Sequence, residues 1–432
     1  MTVTVAIVGS GPAGFYTAQA LLDRGDGYAI DIIDLQPAPF GLIRFGVAPD
    51  HQATKNVMRK FHQTALRDQV SFFGNVEVGR DVSVDELRDA YDAVVLAIGA
   101  SDERGLNIPG GGLPGVYPSQ AFAGWYNAQP QYRDLDPLLD HQAIAVIGNG
   151  NVAIDVARVL VKNENEMASS DLPEHVAAAI ASSPLCDVYV FGRRGPNQAK
   201  FTNVELREMG RLEQCVSLVD PAQLPDEASG HDERDLRLKK KNLDTLRGFA
   251  GALPGSKPKR VHFQFYAMPV EVLGEARVEG LRLERTQVIE GRAQGTGETF
   301  EIACGAVVAA IGYRARAIEG APFDDHRGVV SNTDGRVGDG LYAVGWIMRG
   351  PSGVISTNKK DGVLVAGHIE ADIGGGGKPG RPVLEGLLRD RGVRAASYDD
   401  WQAIEAAEIA NATPPAPRRK FTTTDEMLAV LD

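Results

Sequence analysis

An α/β fold of two parallel-sheet units, one inserted into the other, is predicted by three observations. Two glycine-rich turns, Gly9-Ser10-Gly11-Pro12-Ala13-Gly14 and Gly148-Asn149-Gly150-Asn151-Val152-Ala153, each follow an apolar β-like run and open a helical pattern. Two later apolar runs end alike, at Ile98-Gly99 and Ile311-Gly312. The chain's 432 residues also exceed what one hydrophobic core usually serves. A strand, a glycine turn and a helix in that order let backbone N–H groups at the helix N-terminus cradle a pyrophosphate. One such turn is weak evidence. Two imply a pair of Rossmann-like units that bring two dinucleotides together, the usual arrangement for passing electrons between them.

The elements run in order. A strand at 3–8 leads through the first turn into a helix over 13–24 and a strand at 29–34. A polar stretch containing Pro and Gly then reaches a strand at 93–98, and the chain crosses out through Ile108-Pro109-Gly110. The second unit repeats the pattern from 143, and its next strand, 187–191, ends in Gly192-Arg193-Arg194. A strand at 306–311 closes it. Beyond lie the run 340–346, a Gly/Pro-rich turn at 349–353 and a helix over 354–373. The tail from 379 is helical in parts, with Pro414-Pro415-Ala416-Pro417 as an exposed connector. The expected division is 1–107 and 312–432 for the first unit, with 108–311 inserted.

Composition narrows the function classes. With 43% hydrophobic and 24% charged residues the chain reads as an ordinary globular protein. No apolar run approaches the ~20 residues that span a bilayer, so no membrane partner is expected. The N-terminus enters a strand directly, without a charged leader, which points to the cytoplasm. A net charge of −12 argues against nucleic acid. Cys186, Cys215 and Cys304 form no Cys-x-x-Cys pair, which argues against zinc, iron–sulfur ligation, structural disulfides and a redox-active dithiol. They read as buried, inert thiols, and no metal is expected.

The two glycine turns differ in the residues downstream of them. Asp34 lies about 20 residues beyond Gly14, where a carboxylate accepts from ribose hydroxyls and repels a 2′-phosphate. The first site therefore suits FAD or NAD(H). The second places Arg193 and Arg194 about 40 residues beyond Ala153, the extra length being a polar insertion at 162–184. Guanidinium groups bind phosphate through paired, charge-assisted hydrogen bonds, so NADPH is preferred there. Asn149 and Asn151 flank Gly150 and either hold the turn or donate to a phosphate.

Several long motifs resemble one family, the adrenodoxin reductases and their bacterial relatives, FAD-dependent ferredoxin–NADP⁺ reductases of glutathione-reductase-like, three-layer fold. They are residues 8–16 around the first turn, the run 40–51 (FGLIRFGVAPDH), the second turn, Gly192-Arg193-Arg194-Gly195-Pro196, Phe201-Thr202-Asn203-Val204-Glu205-Leu206-Arg207-Glu208, and the run 345–355 (GWIMRGPSGVI). The likeness runs to about residue 375 and is loose beyond. It implies FAD bound at Gly9, Gly11, Pro12, Ala13, Gly14, Asp34, Gly41, Leu42, Val78 and Trp346, and at the turn Gly353-Val354-Ile355, whose N–H groups would face the flavin. It implies NADPH at Asn149, Gly150, Asn151, Val152, Arg193, Arg194 and Glu205, with Gly353 beside the nicotinamide. His51 and Glu205 resemble the family's pair beside the reacting rings: Glu205 to orient the nicotinamide, His51 to relay a proton or anchor its loop. In the family that it resembles, the acidic ribose residue is often Glu, and here it is Asp34, one methylene shorter.

The resemblance further implies hydride transfer from NADPH to FAD, then single electrons to a ferredoxin-type iron–sulfur protein. Ferredoxins are acidic, so docking calls for a basic patch. The candidate is Arg237, Lys239, Lys240 and Lys241, with Lys257, Lys259 and Arg260 nearby in sequence. Competing readings are an NADPH-dehydrogenase subunit of a larger complex, a flavin monooxygenase and a non-catalytic redox sensor. The first lacks its cysteine-rich segment and the second its Phe-x-Gly-x-x-x-His signature. Slow turnover would mark the third.

Overall fold

The computed structural model describes residues 2–432 except 101 and 104. Two six-stranded sheets organise it. The first has the order Arg336–Gly338, Leu341–Ala343, Ala93–Leu96, Val3–Val8, Tyr28–Ile33, Val70–Phe73, parallel except for its outermost pair. The second has the order Val116–Pro118, Ala306–Ala309, Ala143–Ile147, Asp187–Phe191, Lys259–Gln264, Cys215–Val219 and is parallel throughout. Because Ala93–Leu96 and Leu341–Ala343 are neighbours, the whole second sheet lies inserted within the first. A three-stranded antiparallel sheet, Ala267–Leu273, Gly280–Ile289 and Arg292–Ala303, covers one face of the second sheet. Val272, Leu281 and Leu283 pack there against Ile147, Phe191 and Val307, giving three layers.

Element existence follows the sequence pattern, and boundaries shift by a few residues. The first helix is Pro12–Leu22, and the strands expected to 98 and 311 end at Leu96 and Ala309. The insertion at 162–184 holds two helices, Glu164–Met167 and Glu174–Ser182. The helix expected from 354 begins at Thr357, because residues 354–356 make only single turns: Thr357 N–H donates to Val354 O (2.9 Å). Val70–Phe73, Val116–Pro118 and the three-stranded sheet are further elements that the sequence pattern does not signal.

The two glycine turns are structural copies. Gly9 (φ +111°) abuts Ala97, where a Cβ would sit 2.5 Å from the carbonyl oxygen, and Gly148 (φ +141°) abuts Ala310 in the same way, at 2.2 Å. The repeated Ala-Ile-Gly at the ends of the two strands is thus the wall against which each fingerprint turn is folded.

Charged contacts weld the units and the tail together. Ala48, from the first unit, is fully buried in the core of the second. Arg44 and Glu408 form a buried two-pronged pair at 3.0 and 2.5 Å, with Trp401 against the guanidinium. Lys420 donates to Arg44 O (3.0 Å) and Asn127 O (3.2 Å) and pairs with Asp171 (3.2 Å), which also holds Lys55 at 2.6 Å. The tail therefore straps both units, while Pro414 and Pro415 between its buried parts are exposed as expected.

Candidate functional site

At the first turn, helix Pro12–Leu22 is capped by Gly11 with no side-chain hydrogen bond, so its leading N–H groups remain available. A Cβ on Gly11 would meet nothing within 4 Å, whereas one on Gly14 would lie 2.1 Å from Gly9 O. Gly11 thus faces open space and Gly14 packs helix on strand. Gly41, at φ +49°, brings its loop so close to Gly11 that a Cβ there would stand 3.0 Å from Gly11 Cα, and Leu42 is 36% exposed beside it. Asp34 is half-buried; burial raises its carboxyl, partly offset by three donors, Ser10 N–H (2.7 Å), Ser10 Oγ (2.5 Å) and Gln36 N–H (2.9 Å). The acid expected to meet a ribose thus also locks the glycine turn. Val78 is half-buried in a tight bridge with Val82.

The second turn has the same open centre: nothing lies within 4 Å of a Cβ on Gly150. The Asn149 side chain fills the space beside Gly192, with its Oδ1 buried and without a hydrogen-bond partner among the described residues. Asn151 Oδ1 accepts from Thr202 N–H at 2.8 Å and so anchors the segment that carries Glu205. The two arginines differ. Arg193 is exposed and its guanidinium makes no ion pair among the described residues, whereas Arg194 donates to Gly291 O at 3.3 Å.

His51 and Glu205 do come together, inside a larger cluster. His51 Nε2 lies 2.8 Å from Glu208 Oε2 and 3.3 Å from Glu205 Oε2. Arg158, with no exposed side-chain surface, grips Asp50 through Nε (2.7 Å) and Nη2 (3.1 Å), and reaches Asp155 (2.8 Å) and Glu205 (3.3 Å). Lys162 adds a second cation to Asp50 at 2.8 Å. Burial raises the Glu205 carboxyl, helped by Asp155 and opposed by His51 and Arg158, to about 7. Burial would raise Asp50 too, yet Arg158 and Lys162 hold it well below the carboxylate range. For His51, burial lowers the ring, but Glu208, Asp155 and Glu205 prevail and the net shift is upward. Glu205 is therefore poised to exchange a proton near neutrality.

The turn 350–355 is held by Trp346 and Thr357. Trp346 stacks on Tyr313 (5.7 Å between centroids) and its indole N–H donates to Ser352 O (3.1 Å). Gly353 sits at φ +84°, and Val354 is 58% exposed. Of the N–H groups expected to face a flavin, that of Val354 donates to Thr357 Oγ1 at 3.1 Å.

Sequence pattern alone assigns no role to Asp50, Asp155, Arg158, Lys162 or Glu208. A signal exists: Asp155 and Arg158 are the charged residues, three apart, in the otherwise apolar helix Asn151–Val161. On helix Glu233–Ala250 Arg237, Lys240 and Lys241 are exposed, Arg237 pairing with Glu233 at 3.7 Å, and half-buried Lys239 donates to Asn197 O. Lys257 and Lys259 donate to Leu212 O and Leu160 O, and Arg260 pairs with Asp187 at 2.6 Å. Cys215 and Cys304 are buried, and burial pushes both thiols up to about 12; Cys186 is half-buried.

Known proteins match this architecture. A profile of the pyridine nucleotide-disulphide oxidoreductases matches residues 3–176. The mitochondrial NADPH:adrenodoxin oxidoreductase of Bos taurus is 42% identical over 459 aligned residues, covering 100% of this chain and 92% of the bovine protein. The NADPH-ferredoxin reductase FprA of Mycobacterium tuberculosis is 38% identical, covering 99% of this chain and 98% of its own. A solved structure of that FprA in complex with NADPH has a TM-score of 0.95 at 37% identity, covering 100% of this chain and 99% of its own. The similarity thus extends through the tail, beyond the residue 375 at which the motifs fade.

Proposed function

The chain belongs to the adrenodoxin reductase and NADPH-ferredoxin reductase family of pyridine nucleotide-disulphide oxidoreductases, and on that premise we propose how its own residues serve the reaction. It is an FAD-dependent NADPH–ferredoxin oxidoreductase. The observation that supports the assignment of roles is the cluster of His51 with Glu205, Glu208 and Arg158: the run 40–51 that carries His51 approaches the first glycine turn at Gly41, and Arg158 lies on the helix that the second turn opens.

The residues present fit both nucleotides. Gly11 and Gly150 leave open the space that a Cβ would take, each at an uncapped helix N-terminus. The exposed apolar side chains Leu42 and Val354 suit a flat, apolar ring system, and exposed Arg193 suits a 2′-phosphate. When bound, FAD accepts an electron pair from NADPH and passes electrons on singly. With no Cys-x-x-Cys motif, the chain offers no dithiol relay for those electrons.

Each side chain then has a task. Asp34, held by Ser10, would accept from the adenosine ribose of FAD. Glu205, exchanging its proton near pH 7, would hydrogen-bond the nicotinamide carboxamide as acceptor when ionised and as donor when protonated. His51, hydrogen-bonded to Glu208, would pass a proton between the junction and Glu208. Trp346, fixed by Tyr313 and Ser352, would close the junction against water. Lys240 and Lys241 would meet the acidic ferredoxin. Three thiols free of disulfides support a reducing, cytoplasmic setting.

The experiment is NADPH-driven cytochrome c reduction by the purified holoprotein, with and without a ferredoxin from the same source. A large stimulation by ferredoxin is expected. Fast NADPH oxidation without stimulation would retain the nucleotides and reject ferredoxin as acceptor.

A further inference from the structure

His51 presents its two ring nitrogens to opposite surroundings. Nε2 faces carboxylate oxygens, Glu208 at 2.8 Å and Glu205 at 3.3 Å. Nδ1 faces Arg158 Nη2 at 3.5 Å, with Asp155 Oδ1 farther away at 4.0 Å. A guanidinium donates hydrogen bonds and never accepts them. A ring nitrogen held against it is favoured as a bare lone pair, which sends the proton to the other nitrogen. Arg158 cannot turn aside, because it is fully buried and held by Asp50, Asp155 and Glu205.

We propose that Arg158 is a positioning residue for the reaction: its guanidinium selects the Nε2–H tautomer of His51 and so aims that proton at Glu208. The same group balances the local charge. The ring is surrounded by Asp50 from its own loop, Asp155 from helix Asn151–Val161, and Glu205 and Glu208 from helix Asn203–Glu208. The Tyr126 phenol lies on the Asp155 and Arg158 side, and Lys162 is bound to Asp50. Without Arg158, Lys162 would be the one cation paired here, among the described residues, against four carboxylates. His51 would then stay doubly protonated to higher pH and lose the single-proton state that makes it a relay.

The tautomer can be read directly in holoprotein labelled with ¹⁵N-histidine, His51 being assigned by its absence in His51→Gln. Two-bond proton–nitrogen spectra of the wild type are expected to show a bare Nδ1 and a protonated Nε2 once the ring is neutral. In Arg158→Met the titration midpoint is expected to rise by at least about one pH unit. The pH profile of single-turnover NADPH oxidation should move in the same direction. Should Arg158→Met fail to retain FAD, Arg158→Lys keeps the charge without the fork: a mixture of tautomers with a smaller rise in midpoint is expected. A protonated Nδ1 in the neutral ring of the wild type, or a wild-type tautomer and midpoint in these variants, would overturn the proposal. The kinetic readout rests on the proposed NADPH–flavin reaction, whereas the spectra do not. Altered spectra in a protein that does not oxidise NADPH would sink only the reaction.

Discussion

Asp50 and Arg158 close a two-pronged ion pair across the junction of the two units, at 2.7 and 3.1 Å, with the guanidinium side chain 0% and the carboxylate side chain 4% exposed. Asp50 immediately precedes His51, and Arg158 lies on the helix that the second glycine turn opens. One contact therefore fixes the loop that carries His51 on the helix that the second glycine turn opens.

Breaking that pair on one side should be costly. Asp50→Asn or Arg158→Met is expected to lower stability by about 3–5 kcal/mol, since it strands a buried charge. The folded Asp50 carboxyl titrates below its unfolded value, so its contribution is fully present above about pH 4 and disappears as pH falls through the folded value. Thermal melts between pH 3 and 7 should show a shallower acid limb in Asp50→Asn than in the wild type. Superimposable acid limbs would refute the assignment.

The first glycine turn separates folding from cofactor binding. Gly11 has room for a methyl group and an ordinary φ of −73°, so Gly11→Ala should fold yet lose FAD, because the methyl occupies the pyrophosphate's place. Gly14→Ala should compromise folding itself, its Cβ being 2.1 Å from a backbone oxygen. Circular dichroism and the ratio of flavin to protein absorbance distinguish the two. A yellow, fully loaded Gly11→Ala protein would contradict the placement.

Of the two arginines after strand Asp187–Phe191, the exposed one is expected to read the 2′-phosphate. Losing a charge-assisted hydrogen bond costs about 1.5–3 kcal/mol, so Arg193→Ala should raise the KM for NADPH roughly 10- to 100-fold and leave NADH use nearly unchanged. Arg194→Ala should do less, because that guanidinium already serves Gly291 O. Steady-state kinetics with both coenzymes decide it, and equal losses with NADPH and NADH would reject the role.

Docking should depend on Lys240 and Lys241 and little on Arg237. Replacing both lysines by Glu is expected to slow ferredoxin reduction at low ionic strength while sparing ferricyanide, and added salt should shrink the difference. Arg237→Ala should be nearly silent, its charge being shared with Glu233. Salt-dependent kinetics of the three proteins provide the check.

The two sheets and their nesting are legible in the chain, because glycine turns and apolar strands are local signals, whereas the His51–Glu205 encounter is implied only by the family resemblance. Asp34, Gly11 and Gly150 are equally legible, each being fixed by its distance from a strand end. The partners Asp50, Arg158 and Glu208 are not, because their roles arise only when helices Asn151–Val161 and Asn203–Glu208 pack against the loop at 48–51. The same limit applies to the basic run: Arg237 and the lysines are visible in sequence, but the acceptors of Arg237 and Lys239, Glu233 and Asn197 O, depend on helical spacing and on a distant turn. The strand Val70–Phe73 escapes detection because four residues are too few to display alternation.

The strap at Lys420 has a consequence for biosynthesis. A ribosome delivers the chain from its N-terminus, and units fold as they emerge. Lys420 joins Arg44 O to Asn127 O and Asp171 across hundreds of intervening residues, so this fastening cannot form until both units have been made. The first sheet is under the same constraint, since its strand Leu341–Ala343 emerges only after the entire inserted unit. The nascent protein is thus obliged to complete its inserted unit while the first is still open, and the join between them is sealed only by residues that follow both.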